Sequence, residues 1–321
     1  MKRIALLTSG GDAPGMNAAI RAVVRAGIHA GYDMVGIQHG YNGLIEGTFI
    51  PMEAHSVSNI IQRGGTILKT ARSEAFLTHQ GRARAVENLQ AHEIDALVVI
   101  GGNGTFTGAT ALDDEFKYPV VGVPGTIDND VYGTDFTIGF DTAVNTALDA
   151  VDKIRDTAEA FERVFYIEVM GRHSGYIAAE VALACGAEFV AIPETKVDYD
   201  ALGANLGKMR STKKSSIIVV AEGAAPGGAI EIAKTMKERY GIEYRVCILG
   251  HIQRGGAPSA KDRIQAAVLG GAAIEAVINK QFNVMVGRIE GKVVLTPMRD
   301  TWTKKKEMNL RYVQLISTLA K

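Results

Sequence analysis

Thiols are nearly absent: Cys185 and Cys247 are the only two in 321 residues. That excludes a disulfide framework and a thiolate metal site. Both lie in apolar stretches and read as packing residues. Aromatics are scarce at 7 %, with one Trp, and there are eight prolines. No Pro/Ser-rich linker or low-complexity tract appears. No apolar run approaches the roughly 20 residues that a membrane-spanning helix needs. The opening Met-Lys-Arg-Ile-Ala-Leu-Leu-Thr has a basic start but four apolar residues, short of a signal-peptide core. Net charge is missing too, since 35 Lys plus Arg balance 35 Asp plus Glu. A neutral chain is no general binder of nucleic acid or membrane surfaces. The compartment expected from these absences is the cytoplasm.

What is present is an ordinary soluble balance, 47 % hydrophobic and 22 % charged, with a surplus of glycine, 36 residues. The length fits about two domains, or one large α/β unit. Short β-branched runs lie at 4–7, 34–37, 96–100, 120–123, 164–169, 189–192, 217–221 and 246–249. Near-continuous hydrophobicity in such runs fits strands buried on both faces of a parallel sheet. Between them, helical periodicity covers 17–30, 81–92, 142–158, 176–185, 230–240 and 260–279. The alternation predicts a doubly wound α/β protein with ligands at the carboxyl ends of its strands. Composition marks no domain boundary, so two sheets interleaved in sequence are compatible with it. The Lys run at 304–306 reads as a solvated turn.

The glycines cluster just after the predicted strands: Gly10 and Gly11, Gly101, Gly102 and Gly104, Gly125, Gly171 and Gly175, and Gly250, Gly255 and Gly256. Backbone approaches an anion closely where no Cβ intervenes, and helix N-termini offer N–H donors. The loop at 8–17, Thr-Ser-Gly-Gly-Asp-Ala-Pro-Gly-Met-Asn, is neither a Walker A loop nor a dinucleotide fingerprint. The strand at 98–100 runs into Gly-Gly-Asn-Gly-Thr at 101–105, a nucleotide-triphosphate pattern of kinases that lack a Walker motif. Its third position usually carries Asp near Mg²⁺; here it is Asn103, an amide that can ligate a metal but adds no charge. Pro-Gly-Thr-Ile-Asp-Asn-Asp at 124–130 carries two carboxylates. In extended backbone Asp128 and Asp130 would share one face. One could accept a proton from a sugar hydroxyl and the other could sit near the metal. An Asx-rich turn is the alternative. Arg172 and Arg254 follow two further strands, with Arg163 and Arg245 near where those strands begin, and guanidinium forks match phosphate oxygens. Arg21 and Arg25 share one helix face, either as a solvated stripe or as an anion site.

Over essentially its whole length the chain resembles the bacterial ATP-dependent 6-phosphofructokinases. The matches are segments 7–21, 124–130, 137–143 (Thr-Ile-Gly-Phe-Asp-Thr-Ala), 152–158 (Asp-Lys-Ile-Arg-Asp-Thr-Ala), 168–172 (Glu-Val-Met-Gly-Arg) and 249–256 (Leu-Gly-His-Ile-Gln-Arg-Gly-Gly). The resemblance implies a homotetramer of subunits with two Rossmann-like, three-layer α/β domains of mainly parallel sheet. Residues 1–138 with about 257–303 would bind ATP. About 139–256 with 304–321 would bind fructose 6-phosphate. The implied reaction transfers phosphate from Mg-ATP to the sugar 1-hydroxyl, giving fructose 1,6-bisphosphate and ADP in glycolysis. Asp128 is then the general base with Thr126 beside it, and Arg172 stabilises the transferring phosphoryl group. Thr126, Ile127, Asp128, Met170, Gly171, Arg172, Glu222, His251 and Arg254 line the sugar-phosphate site. Arg163 and Arg245 reach it from a neighbouring subunit. Gly11, Tyr41, Arg72, Ser73, Gly102, Asn103, Gly104 and Thr105 match the ATP positions, with Tyr41 on the adenine and Arg72 bridging nucleotide and sugar phosphate. Asn103 and Asp130 are the implied Mg²⁺ residues.

Family members that use pyrophosphate typically carry Asp at the position of Gly104 and Lys at that of Gly125, so the glycines here favour ATP. An effector site for ADP or phosphoenolpyruvate is implied at Arg21, Arg25, Arg155, Gly186, Glu188, Lys213, Lys214 and Ser215. It is depleted, because a family Arg aligns with Ala54 and a family Lys with Ser211; weak or absent ADP activation is expected. Asn103 supports a second reading, a weakly active or non-catalytic paralogue that binds sugar phosphate or nucleotide. NAD and lipid kinases share the Gly-Gly-x-Gly-Thr loop but lack the motifs at 124–130 and 249–256.

Overall fold

The computed structural model describes residues 2–209 and 215–320. In chain order the strands are β1 (Arg3–Thr8), β2 (Asp33–Ile37), β3 (Phe49–Met52), β4 (Ala96–Gly101), β5 (Val120–Pro124), β6 (Val164–Val169), β7 (Phe189–Ala191), β8 (Ser216–Ala221), β9 (Tyr244–Ile248), β10 (Val284–Ile289) and β11 (Lys292–Pro297). The helices are α1 (Met16–His29), α2 (Gly40–Glu46), α3 (His79–Ala91), α4 (Asn103–Phe116), α5 (Phe140–Ala160), α6 (Tyr176–Ala184), α7 (Tyr199–Met209), α8 (Gly228–Tyr240), α9 (Ala260–Ile278), α10 (Asp300–Thr303) and α11 (Arg311–Leu319). The chain divides into two compact units, Met1–Asp141 with Arg254–Lys306 and Thr142–Gln253 with Glu307–Lys321.

The first unit is built on a seven-stranded sheet in the order β11-β10-β5-β4-β1-β2-β3. Its centre is parallel, with Thr8 opposite Ile100 and Gly101 opposite Pro124, so β1, β4 and β5 end side by side. Every residue of β4 and β5 is buried, as their unbroken apolar runs require. Leu89 of α3 and Phe106, Ala109 and Leu112 of α4 share one core with Ala5, Leu7, Leu97 and Val99. Each large side chain so buried contributes about 1.5–3 kcal/mol. The two edge strands are antiparallel to their neighbours. The chain leaves β1 toward β2 on one side and reaches β4 on the other. That makes the carboxyl end of β1 a topological switch point, where open α/β sheets bind ligands.

The second unit has a four-stranded parallel sheet, β7-β8-β6-β9. Tyr166, Ile218 and Val220 pack there against Leu202, Ile232, Ala233 and Met236 from α7 and α8. The β9 edge is only partly covered, with Ile248 at 52 % exposure.

Candidate active site

In the first unit three strand ends supply three interlocked loops. The β1 loop enters α1 through Gly15, whose φ is 105°. The β4 loop enters α4 through Gly102, and neither helix has a side-chain cap bond at its N-terminus. Both therefore present unsatisfied N–H donors and the positive end of a helix dipole. Thr105 is buried and its Oγ1 donates to Ser9 O at 3.0 Å, which ties the two loops together. Gly101 has no alternative here: a Cβ would lie 2.2 Å from Thr105 Oγ1 and 2.6 Å from Ser9 O. At Gly104 a Cβ would meet nothing within 4 Å, so the first turn of α4 faces open space.

Tyr41 sits under this loop. Its hydroxyl donates to Thr105 O at 2.6 Å and its ring stacks on Phe76 at 3.9 Å. Burial pushes the phenol pKa up, so the hydroxyl stays a donor. The β1 loop is strapped by the segment after residue 62. Thr70 Oγ1 donates to Gly10 O, Thr8 Oγ1 donates to Lys69 O, and the Asn17 amide donates to Arg63 O and Gly64 O. Sequence reasoning missed this strap, because isolated threonines carry no motif. It leads into Arg72, which is exposed, and Ser73, whose Oγ caps Phe76 N at 3.2 Å.

The β5 loop holds Thr126, Ile127 and Asp128, all buried. It abuts the β4 loop. Gly125 N donates to Gly101 O at 2.9 Å, and Asn103 Nδ2 donates to Asp130 Oδ2 at 2.9 Å. The segment is not extended: it bends at Ile127 and Asp128, and Asn129 has a φ of 52°. The shared-face argument for Asp128 and Asp130 therefore fails. An Asx-rich turn forms instead, with Asn in the left-handed conformation it tolerates better than most residues. Asp128 N bonds Thr126 Oγ1 at 3.3 Å within it. Asn129 Oδ1 accepts from Thr137 N and from Lys306 Nζ, both at 3.0 Å. Lys304 and Lys305 are exposed but Lys306 is not, so the solvated-turn reading holds for two of the three lysines.

Arg254 belongs to the first unit. Its Nη1 donates to Asp12 O at 3.1 Å, and a Cβ on Gly11 would come within 2.7 Å of that nitrogen. The guanidinium thus lies against the β1 loop.

In the second unit Met170, Gly171 and Arg172 follow β6. Arg172 has a φ of 52° and its N donates to Glu222 Oε1 at 2.7 Å, while Glu222 N bonds Val169 O. The Arg172 side chain is exposed. His251 is exposed on the short helix at 250–254, and Gln253, 0 % exposed, accepts from Met170 N at 3.4 Å. Arg163 and Arg245 are elsewhere. Arg163 precedes β6 and lies over the Phe161 ring at 4.7 Å; Arg245 pairs with Phe165 near the start of β6. Six strand residues at about 3.3 Å each separate Arg163 from Met170, roughly 20 Å.

Residues 3–277 match the model of the family described as phosphofructokinase. The chain belongs to that family. It is 58 % identical over 321 residues to "ATP-dependent 6-phosphofructokinase 1" of Thermus thermophilus, covering 100 % of both chains. It is 55 % identical to "ATP-dependent 6-phosphofructokinase" of Cytophaga hutchinsonii, over 99 % of this chain and 98 % of that one. Among solved structures it is similar to phosphofructokinase from Saccharomyces cerevisiae, with a TM-score of 0.87 and 38 % identity. That match takes in 94 % of this chain and 45 % of the yeast chain, so this chain spans less than half of it. The two mainly parallel α/β sheets are the family's fold.

The residues that the family resemblance assigns to an effector lie in both units. Arg21 and Arg25 are on α1 of the first, with no carboxylate in ion-pair distance among the described residues. In the second, Arg155 Nη2 donates to Cys185 O at 2.5 Å, beside Gly186. Glu188 is buried and its Oε2 accepts from Ile217 N at 2.5 Å; Ser215 is buried. Lys213 and Lys214 lie outside the described residues. Cys185 and Cys247 are half-buried rather than fully packed, and burial raises both thiol pKa values. No helix among the described residues is long and apolar enough to cross a membrane.

Proposed function

We propose that the chain phosphorylates the 1-hydroxyl of fructose 6-phosphate with ATP, as the names of its close relatives indicate for them. The observation that carries the reading is the contact between the β4 loop, with the open N-terminus of α4, and the bend that holds buried Asp128. A phosphate-binding turn and a carboxylate within one hydrogen-bonded unit suit phosphoryl transfer, in which positioning and charge do most of the work. The Asp128 carboxylate takes the hydroxyl proton as the sugar oxygen attacks the γ-phosphorus, and ADP leaves. The first unit takes the nucleotide at Gly11, Gly102, Gly104 and Thr105. The second takes the sugar phosphate through Glu222, His251 and Arg172, and Arg172 also offsets charge on the transferring group. The open space at Gly104 favours ATP over pyrophosphate as donor.

The family implies Mg²⁺. Asn103 Oδ1 is buried with no hydrogen-bond partner, and the same amide's nitrogen contacts Asp130. This pair of oxygens fits a hard cation whose remaining ligands are phosphate oxygens and water. Asn103 and Asp130 would hold the ion, which neutralises phosphate charge when bound. Among the described residues no three His, Cys, Asp or Glu side chains cluster as a metal site. One carboxylate fewer lowers turnover. Asn103→Asp is expected to raise kcat with Mg-ATP by about tenfold, and an unchanged rate overturns that assignment.

Arg163 and Arg245 cannot join Arg172 at one sugar phosphate within a subunit, since they lie at opposite ends of β6 and β9. They serve a neighbouring subunit of a homotetramer, which light scattering on the eluting enzyme tests. ADP activation is weak, and strong phosphoenolpyruvate inhibition overturns the depleted effector site. The deciding experiment is a coupled assay of fructose 6-phosphate with ATP or with pyrophosphate, in Mg²⁺ and in Mn²⁺. Turnover with neither donor overturns the reading and favours a binding protein.

A further inference from the structure

We infer that Lys306 is a positioning residue for the base Asp128, acting through Asn129. The inference rests on the reading of Asp128 given above. Asn129 follows Asp128 directly and holds a φ of 52°, a conformation that Asn adopts more readily than other residues with a Cβ but still at some cost. Something must over-determine it. Asn129 is 2 % exposed, and both polar atoms of its side chain are engaged. Nδ2 donates to Asp135 O at 3.2 Å. Oδ1 accepts from Thr137 N at 3.0 Å, from Thr137 Oγ1 at 3.4 Å and from Lys306 Nζ at 3.0 Å. Of these donors only Lys306 is charged, and a charge-assisted bond is about twice as strong as a neutral one.

The ammonium also donates to Asp135 O at 2.7 Å, the carbonyl that Asn129 Nδ2 meets. One nitrogen therefore clamps both ends of the turn from Asn129 to Asp135. That turn is anchored in turn to the sheet, where Asp135 N donates to Arg288 O of β10 at 2.8 Å. Lys305 is exposed, Lys304 is exposed and pairs with Asp300 on the surface, and Lys306 reaches in to the Asn129 turn. Ordering a lysine side chain costs rotamer entropy, which the two bonds must offset. The run at 304–306 is thus a surface turn with one inward donor. The donor holds the backbone conformation from which the Asp128 carboxylate projects. A misplacement of about 1 Å at a reacting group can cost on the order of a hundredfold in rate.

The experiment compares wild-type enzyme with Lys306→Met and Lys306→Arg, in a coupled assay and in thermal unfolding. Lys306→Met is expected to lose about tenfold or more in kcat, with KM for ATP within about twofold and most of the protein folded at assay temperature. Lys306→Arg, whose guanidinium can donate to both oxygens, is expected to recover most of that kcat. A kcat for Lys306→Met within twofold of wild type overturns the inference. So does a loss matched by the unfolded fraction, or an equal loss in Lys306→Arg. Should Lys306→Met not fold, Lys306→Gln, which keeps an N–H for Asn129 Oδ1, is read against the same limits. An inactive wild type points to failure of the functional reading. An active wild type with an active Lys306→Met points to failure of this inference alone.

Discussion

The two units meet the task that the proposed reading sets them, holding anions, in opposite ways. In the first, the loops are buried and bonded to one another. Thr105 reaches Ser9, Gly125 reaches Gly101, Asn103 reaches Asp130, and Tyr41 closes the loop from beneath. In the second, Arg172, Arg245 and His251 are exposed, and none of their side chains forms an ion pair with a carboxylate among the described residues. Backbone donors are useful only if they are fixed beforehand, so the loops that carry them are built into the core. Long cations can fold onto an anion when it arrives, so they need no such scaffold. Changes in the first unit should therefore cost structure as well as function, and changes in the second function alone.

The largest effect is expected at Asp128. Asp128→Asn removes the proton acceptor while keeping the side chain's shape, and kcat should fall about 10³-fold in the coupled assay. Binding of ATP, followed by calorimetry, should stay within about threefold; a large loss of affinity there would show the residue to be structural. Next is Arg172→Ala, expected to lower kcat about a hundredfold. Its melting temperature should not move, since exposed substitutions stay within about 0.5 kcal/mol. A clear loss of stability would break the comparison.

A pair of glycine changes sharpens it. Gly104→Asp meets open space, so the protein should fold normally. The added carboxylate repels the nucleotide phosphates and should raise KM for ATP by about tenfold to a hundredfold. Gly101→Ala collides with Thr105 and Ser9, and chemical denaturation should show a loss of about 1–3 kcal/mol. Equal stability of the two variants would show that the β4 loop is less fixed than its contacts imply. The smallest effect is expected for Tyr41→Phe, which removes the bond to Thr105 O. About 1 kcal/mol of stability should go, with a rise of a few-fold in KM for ATP.

Sequence carried the second sheet and the centre of the first, but not the margins of the first. β4, β5 and β8 announce themselves because burial on both faces demands an unbroken apolar run. The edge strand β3 contains Pro51, which argues against a strand unless that strand lies at an edge. β10 and β11 form a hairpin at Glu290 and Gly291, and their apolar runs, 284–286 and 293–295, are only three residues long, with β11 largely exposed. The helix α4 was hidden by its own composition. Gly104, Gly108 and three threonines weaken intrinsic helix formation, and the packing of Phe106, Ala109 and Leu112 overrides that. The site followed the same division. The Gly-rich loops and the motif at 124–130 are contiguous and legible. The strap onto the β1 loop, the Asn129 turn and Lys306 bring together residues up to 177 positions apart, which no local pattern reveals. Tyr41, assigned to the adenine by resemblance, packs on Phe76 and bonds the loop's backbone.

Tyr41 has one further consequence. A single phenol closes the hydrophobic core with its ring and holds the loop's carbonyl with its oxygen. Any shift in core packing at Tyr41 is therefore passed on to the backbone at the start of α4. At this position a change made for the sake of packing is also a change in the loop that the proposed reading gives to the donor.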